Sequence, residues 1–243
     1  MDFYQSISRY YQYIFPLNKA QIDYINSAKE EDIRQLAILD IGCAIGDLSL
    51  ELSNNFKEVI GIDLDEGMIS KATEKGKNKY NLHFCLKNML HIDKSFGENR
   101  FDLIACFGNT LVHLDSEAEV LDFFRKALTC LKKDGKLLFQ IINYDRIIDQ
   151  AINFLPTIEN ETIKFERLYT YHDNTQKVDF ETMLTVKESG QCISNTIPLL
   201  ALRKARVEQL LQEAGFVDIK FFGNFKRDLL MPNSVPLVVE AKA

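Results

Sequence analysis

The feature that most constrains the fold is a regular alternation of short apolar runs with helical patterns, which begins at Ala37. Five apolar runs are predicted as β-strands: Ala37–Ile41, Glu58–Asp63, Leu82–Leu86, Phe101–Phe107 and Lys136–Asn143. Each run is followed by a turn or a helix, an order typical of βαβ units that build a parallel sheet. The sequence therefore predicts an α/β protein.

The clearest connecting helix begins after Ser116. Ser116 and Glu119 have the spacing of a capping box, and apolar residues follow at intervals of 3.6 residues. Lys132 and Lys133 favour the last turn of a helix, and Gly135 can adopt the left-handed conformation that ends one. The pattern predicts that the helix ends near these lysines.

A different pattern begins near Glu161 and predicts antiparallel strands with one solvated face. The alternating apolar residues are Ile163, Phe165, Tyr169, Tyr171, Val178, Phe180, Leu184 and Val186. A third run, Cys192–Leu200, completes an inserted sheet. A helix that ends at Gly215 and two final strands, Val217–Phe225 and Pro236–Lys242, follow.

Composition narrows the class of partner. The 243 residues include 29 Lys and Arg against 35 Asp and Glu, a net charge of −6, which lacks the basic footprint of most nucleic-acid binders. No apolar run approaches the roughly 18 residues that span a bilayer, so we expect a cytoplasmic protein without a membrane partner. The five cysteines are scattered and form no CxxC pair, which predicts reduced thiols and no metal site.

A glycine-containing loop joins the first strand to the next helix. Gly42 and Gly46 allow close backbone approach and positive φ, and ligands bind at this position in open α/β sheets. Asp40, at the end of the strand, is expected either to accept hydrogen bonds from a cationic amine or to hold the loop. A dinucleotide fingerprint would need glycine at positions 42, 44 and 47. These positions hold Gly42, Ala44 and Asp47, so the spacing disfavours NAD as the ligand.

Asp63 lies 21 residues after Gly42, at the end of the second strand. A carboxylate there can accept hydrogen bonds from both hydroxyls of a ribose. Asp63 is the preferred candidate, and Asp65 is the alternative.

The loop Asp40-x-Gly42-x-Ala44-x-Gly46, which includes Cys43, resembles motif I of class I S-adenosylmethionine-dependent methyltransferases. The family's middle glycine is Ala44 here, and we expect Ala44 to fit with an ordinary negative φ. The resemblance implies that the acidic residue that binds the ribose is Asp63.

The resemblance also implies an adenine site. Leu64 and Met68 would flank the ring, with core packing as the alternative interpretation. The segment formed by Asn88, Met89 and Leu90 resembles the motif in which an Asp of the family usually contacts the adenine amino group. Asn88 stands in place of that Asp. Asn88 can make this contact with its amide, or the backbone amide of Met89 makes it alone.

The segment Phe101–Leu114 resembles the glycine/sarcosine N-methyltransferase-like group, which acts on small molecules. It lacks the Asn/Asp-Pro-Pro-Tyr tetrapeptide of enzymes that methylate base amino groups. The resemblance implies that Phe107 and Asn109 lie beside the methionine part of the donor. His113 would orient or deprotonate a substrate group, or serve as a structural histidine.

Tyrosines are concentrated near the N-terminus: Tyr4, Tyr10, Tyr11, Tyr13 and Tyr24. Aromatic faces stabilise a sulfonium cation without competing strongly as nucleophiles. The segment Arg9–Asn18 resembles a cap over the donor site, with Gln12 where the family has Asp. We predict Tyr11 and Tyr13 as lid residues, and Tyr13 as a catalytic candidate; simple packing of a leading helix is the alternative.

The resemblance covers the whole chain in order. It implies a Rossmann-like, doubly wound, seven-stranded, mostly parallel sheet with an antiparallel last strand, plus the inserted antiparallel sheet after the fifth strand. The predicted division is an aromatic lid at 1–34, a donor-binding core at 35–155 and 201–243, and the insertion at 156–200.

The predicted function is in-line methyl transfer from S-adenosylmethionine to N or O of a small molecule, without a metal, by a monomer or homodimer. Arg167, Tyr169 and Tyr171 of the insertion are expected to form the acceptor pocket or a subunit interface. Arg167 would bind an acceptor carboxylate or form a surface ion pair. A non-catalytic donor-binding accessory protein and, less favoured, an NAD-dependent oxidoreductase remain alternatives.

Overall fold

The computed structural model of the chain describes residues 6–243. Within them the strands are β1 (Ala37–Ile41), β2 (Glu58–Asp63), β3 (Leu82–Leu86), β4 (Phe101–Cys106), β5 (Leu131–Ile142), β6 (Phe154–Glu159), β7 (Ile163–His172), β8 (Lys177–Val186), β9 (Cys192–Leu200), β10 (Val217–Phe222) and β11 (Pro236–Lys242). The α-helices are α1 (Tyr11–Ile14), α2 (Lys19–Asn26), α3 (Asp47–Leu52), α4 (Glu66–Gly76), α5 (Ile92–Phe96), α6 (Glu117–Cys130), α7 (Tyr144–Asp149) and α8 (Lys204–Ala214).

The main sheet has seven strands in the order β10-β11-β5-β4-β1-β2-β3. Strands β1 to β5 are parallel, whereas β11 runs antiparallel to both β5 and β10. This confirms the predicted fold class, including the antiparallel last strand. The order reverses beside β1, because β2 and β4 are its two neighbours. Ligands in open α/β sheets bind at such a switch point, beyond the carboxyl ends of the strands.

The insertion forms a separate antiparallel sheet in the order β6-β7-β8-β9. The three predicted runs correspond to β7, β8 and β9, and β6 is a further strand that the alternation did not reveal. Ile163, Phe165 and Leu184 on one face of this sheet pack against Ile7 and Ile14 of the N-terminal segment. The inserted sheet and the N-terminal segment therefore support each other on one side of the main sheet.

The start of α6 follows the prediction, but its end does not. Ser116 Oγ accepts a hydrogen bond from the Glu119 amide at 3.3 Å, while the Glu119 carboxylate accepts from the Asp115 amide at 2.8 Å. The helix ends at Cys130, because Leu131 is already extended and pairs with β4. Asp134, with φ of 63°, adopts the left-handed conformation predicted for Gly135. Lys132 pairs with Asp102 at 2.7 Å.

Four strand limits also differ from the prediction, and the first is the start of β5 at Leu131 instead of Lys136. Strand β4 ends at Cys106, before Phe107, and β5 ends before Asn143. Asn143 instead caps α7, accepting a hydrogen bond from the amide of Arg146. Strand β10 ends at Phe222, because the Gly223 amide donates to the Asp228 carbonyl and turns the chain. The apolar character of Phe107 and Phe225 reflects their ring contact outside the sheet, with centroids 5.1 Å apart.

Gly46 is required by packing between α3 and the sheet. Its φ is 79°, and a Cβ there would lie 2.6 Å from the Phe84 ring and 2.8 Å from Ala72 Cβ. We expect Gly46→Ala to lower the free energy of unfolding by about 2–4 kcal/mol, because strain at positive φ adds to overpacking. Gly190→Ala is the matched control, since Gly190 has φ of 68° and nothing within 4 Å of its Cβ position. Urea unfolding of both variants measures the difference, and equal losses would contradict the packing argument.

Candidate active site

One cavity of about 630 Å³ lies beyond the carboxyl ends of β1, β2 and β4. The main sheet forms its floor, and the N-terminal segment and the inserted sheet form its walls. The predicted site residues that line it are Tyr11, Asp40, Gly42, Cys43, Ala44, Asp63, Leu64, Met68, Met89, Phe107, Asn109, His113, Arg167 and Tyr169. The other predicted residues, Tyr13, Gly46, Asn88, Leu90 and Tyr171, are not part of its lining.

The loop after β1 has positive φ at alternate residues. Gly42 has φ of 73°, Ala44 of 47° and Gly46 of 79°. The expectation of a negative φ at Ala44 is therefore wrong, and this alanine takes a left-handed conformation that glycine adopts more easily. The Gly42 and Cys43 amides both donate to the Ile62 carbonyl, at 2.9 and 3.0 Å, which folds the loop over the end of β2.

Gly42 is required by its neighbour on the β4 side. A Cβ on Gly42 would lie 2.5 Å from Thr110 Oγ1, and Thr110 donates a hydrogen bond to the Phe107 carbonyl at 2.7 Å. The glycine thus lets two loops of the cavity meet, in addition to allowing the turn.

The two carboxylates after β2 are held in fixed orientations. Asp63 Oδ2 accepts a hydrogen bond from the Ala44 amide at 2.9 Å, and its Oδ1 accepts from the Asp65 amide at 3.0 Å. Burial raises the pKa of Asp63, and these backbone bonds oppose that rise. Each oxygen keeps room for a further donor because a carboxylate has about four lone-pair sites.

Asp65 has a different role from Asp63. Its Oδ1 caps α4 by accepting from the Met68 amide at 2.8 Å. Its Oδ2 is buried and has no hydrogen-bond partner in the described part of the chain. A buried oxygen without a partner is costly, and a donor from a bound molecule would remove that cost.

Asp40 is buried at the end of β1, where it accepts a hydrogen bond from Ser49 Oγ at 2.6 Å. Burial, opposed by this bond, raises the pKa of Asp40 from its ordinary value of 3.8 to about 6. Asp40, Asp47, Asp63 and Asp65 all line the same end of the cavity. Asp47 is paired with Lys75, and the other three carboxylates favour a cationic ligand in this partly desolvated region.

We expect Asp40 to make the unliganded protein less stable as the pH rises from about 4 to about 6. The folded state holds the Asp40 proton more tightly than the unfolded chain, so this group's stabilisation is complete below pH 3.8 and is lost through about pH 6. The difference in pKa corresponds to about 3 kcal/mol. In thermal unfolding, the melting temperature of Asp40→Asn relative to the native chain should therefore rise between pH 4 and pH 8. An offset that stays constant with pH would contradict this assignment.

Beside these carboxylates, the cavity has an apolar end. Met68 is buried, Met89 is nearly so, and Leu64 is 65% exposed. Asn88 lies outside the lining, because its Oδ1 caps the next turn by accepting from the Leu90 amide at 2.8 Å. Because Met89 lines the cavity and Asn88 does not, the positions favour a contact of the adenine with the Met89 backbone over one with the Asn88 side chain.

The loop after β4 brings Phe107, Asn109 and His113 to the cavity. Asn109 has φ of 68°, its Oδ1 accepts from the Ile142 amide at 2.9 Å, and its Nδ2 donates to the buried Tyr144 hydroxyl at 3.3 Å. Two hydrogen bonds fix this side chain before any ligand binds. His113 ends the 3₁₀ turn Thr110–His113 and is half-buried.

The two predicted lid tyrosines differ in position. Tyr11 packs against Ala44, Ile45 and Met68 in the cavity wall, and burial together with the charge of Asp63 raises the pKa of its hydroxyl. Tyr13 is 40% exposed and does not line the cavity. Its position does not support the predicted lid and catalytic roles, because residues two positions apart on a helix such as α1 lie on nearly opposite sides of it. Tyr4 lies outside the described residues.

The inserted sheet contributes Arg167 and Tyr169 but not Tyr171. The Tyr171 hydroxyl donates to Asp173 at the turn after β7, at 3.3 Å. Arg167 donates from Nη2 to the Pro156 carbonyl at 2.6 Å, and its Nε is buried without a partner. Among the described residues, the partner of Arg167 is this carbonyl and not a carboxylate, which disagrees with the surface ion pair given as the alternative.

The lining residues that the sequence did not predict include Thr110, Leu155, Phe180, Ile197 and Leu199. The alternation in β7 and β8 already indicated which side chains share a face, but it could not indicate that this face meets the cavity. In the described residues, no helix is long and apolar enough to cross a bilayer, and no group of three His, Cys, Asp or Glu side chains could hold a metal ion.

The chain is similar to known methyltransferases. A family model described as a methyltransferase domain matches residues 38–135, which run from β1 into β5. A putative methyltransferase of Geobacillus sp. (strain WCH70) is 30% identical over 159 residues, covering 61% of this chain and 62% of the relative. The alignment thus spans less than two thirds of that relative's length.

Two further similarities cover more of the chain. A glycine/sarcosine N-methyltransferase of Aphanothece halophytica is 27% identical over 205 residues, which is 84% of this chain and 74% of the relative. The crystal structure of an S-adenosylmethionine-dependent methyltransferase from Clostridium acetobutylicum ATCC 824 superposes with a TM-score of 0.81, covering 99% of each chain at 16% identity. At that identity the structural likeness shows the fold. The family match, the sheet order and the loop after β1 together support a class I S-adenosylmethionine-dependent methyltransferase.

Proposed function

We propose that the protein transfers the methyl group of S-adenosylmethionine to a nitrogen or oxygen of a small-molecule acceptor. The observation that carries the proposal is that one continuous cavity joins the carboxylate-rich loops of the main sheet to the Arg167 and Tyr169 side chains of the inserted sheet. Donor and acceptor would meet inside it, in a partly closed space that excludes most water.

The residues of the donor end fit S-adenosylmethionine. The fixed Asp63 carboxylate would accept the ribose hydroxyls, and the unpartnered Asp65 oxygen would accept a further donor. Leu64 and Met68 would flank the adenine. The negative charge around Asp40 suits the amino group and the sulfonium. When bound, the donor supplies an electrophilic methyl group.

His113 is the best-placed group to accept a proton from the acceptor. An amine acceptor must lose a proton to present a lone pair, and His113 is half-buried in the cavity lining. Tyr11, the other candidate, has a raised pKa and stays protonated at neutral pH. Its hydroxyl would therefore act as a hydrogen-bond donor or as an uncharged group of the cavity lining, and not as a base.

The acceptor is proposed to be small. The relative from Aphanothece halophytica is named for glycine and sarcosine, which are small amines that carry a carboxylate. Arg167 has a buried Nε without a partner among residues 6–243, and its guanidinium would hold such a carboxylate in two hydrogen bonds. Burial lowers the pKa of Arg167, and an anionic ligand beside it would offset that cost.

Calorimetry and product analysis test the proposal together. S-adenosylmethionine and S-adenosylhomocysteine should bind, and NAD should not. Labelled methyl should then appear in at least one member of a panel of small amines, carboxylic acids and phenols, with release of S-adenosylhomocysteine. Binding of NAD without either sulfur compound would favour an oxidoreductase, and donor binding without transfer to any panel member would favour an accessory protein.

A further inference from the structure

We propose that the acceptor carries an apolar body beside its carboxylate, and that the inserted sheet selects for that body. This inference rests on the proposed function and names the substrate class of the same cavity. It predicts an acceptor larger and less polar than glycine or sarcosine.

The cavity face of the inserted sheet is a continuous apolar wall. Tyr169, Phe180 and Ile197 lie in register across β7, β8 and β9, and the Tyr169 and Phe180 rings stack with centroids 5.3 Å apart. Leu155 lies on β6 opposite Arg167, Leu199 lies two residues after Ile197 on β9, and both line the cavity. We call these five residues the apolar wall.

Arg167 is the one cationic side chain among the described cavity-lining residues of this sheet. It pairs in register with Leu155 and stands two residues before Tyr169 on the same face. Its Nε is buried without a partner, and only its Nη2 is engaged, with the Pro156 carbonyl. One anionic group of the acceptor would satisfy these donors, whereas the rest of the acceptor would contact the side chains of the apolar wall.

The distribution of charge in the cavity fixes the direction of the acceptor. Asp40, Asp63 and Asp65 line the donor end, whereas Asp47 is neutralised by Lys75 and Lys87 adds one cation to the lining. The net negative charge of the donor end repels an anionic acceptor, which is attracted to Arg167. A carboxylate held by Arg167 is turned away from the donor, and the group that receives the methyl must lie elsewhere on the acceptor.

A glycine-sized acceptor would leave the apolar wall in contact with water. Covering it with an apolar body releases that water and gains about 25 cal/mol per Å² of apolar surface buried. A single methylene already changes discrimination by roughly 10- to 200-fold in apolar pockets. We therefore expect at least about a tenfold preference for an acid with an aromatic or branched body.

Titration calorimetry on the full chain saturated with S-adenosylhomocysteine tests this without requiring turnover. The probes are acetate, 3-phenylpropanoate and 2-phenylethylamine. We expect 3-phenylpropanoate to bind at least about tenfold more tightly than acetate, and 2-phenylethylamine, which lacks the carboxylate, to bind more weakly than 3-phenylpropanoate. Equal affinities for the two acids, or no binding of either, would overturn the inference.

Two matched variants separate the apolar wall from a general effect on the fold. Ile197→Ser places a hydroxyl in the wall and should reduce the ratio of 3-phenylpropanoate to acetate affinity several-fold. Leu168→Ser is the control, because Leu168 lies between Arg167 and Tyr169 on β7 but is 50% exposed and outside the cavity lining. The ratio does not depend on the fraction folded. An equal change in both variants would contradict the inference, whereas failure of S-adenosylhomocysteine itself to bind would contradict the proposed function.

Discussion

Asp63→Ala is expected to weaken S-adenosylmethionine binding by roughly 100- to 1000-fold. The carboxylate would lose two hydrogen bonds from the ribose, each worth about 1.5–3 kcal/mol when one partner is charged. It would also lose the bonds that it accepts from the Ala44 and Asp65 amides, at 2.9 and 3.0 Å, which hold the glycine loop against the end of β2. Binding and loop order therefore fail together, and titration calorimetry measures the loss.

Asp63→Asn provides the control for this result. The amide keeps one oxygen that can accept from the Ala44 backbone, but it loses the charge and one acceptor. We expect an intermediate affinity and nearly native thermal unfolding. If Asp63→Ala binds the donor as tightly as the native chain, the ribose lies elsewhere.

Much of the main sheet follows from local sequence pattern. Strands β1, β2 and β3 have the predicted limits, because each is a short apolar run bounded by turn residues. The donor loop was predictable for the same reason, since Asp40, Gly42 and Asp63 stand at strand ends whose order the βαβ pattern fixes. These inferences need only the backbone and its connections.

Side-chain direction in the less regular segments was not predictable. Tyr11 and Tyr13 are two residues apart, and a helix of four residues gives no period that would show which ring faces the cavity. Asn88 has the amide that the adenine site needs, but a cap on the following turn was an equally good use of it. Local competition of this kind is decided by the tertiary structure.

The face of the inserted sheet that meets the cavity was not predictable from the sequence either. Alternation in β7, β8 and β9 identified two faces, but both carry apolar residues, among them Leu168 and Met183 on the exposed face. The face that meets the cavity is set by the packing of Ile163 and Phe165 against Ile14. That contact joins residues about 150 positions apart in the sequence, and no local pattern reveals it.

His113→Gln is expected to lower kcat by about 100- to 10,000-fold while leaving the affinity for S-adenosylmethionine unchanged. A positioned general base contributes a factor of this size when the acceptor must lose a proton in the transition state. Glutamine can replace a hydrogen bond of the imidazole but cannot accept the proton, so it preserves a structural role and removes a catalytic one. Single-turnover rates with excess enzyme, together with donor calorimetry, measure the two effects separately.

Tyr11→Phe is the matched control for the choice of base. Its hydroxyl also faces the cavity carboxylates, but its raised pKa keeps the proton on the phenol. Removal of that hydroxyl should therefore reduce kcat far less than His113→Gln does, and it should leave the pH dependence of kcat unchanged. A kcat close to the native value in His113→Gln, with a large loss in Tyr11→Phe, would reverse the two assignments. Tyr11, and not His113, would then accept the proton of the acceptor.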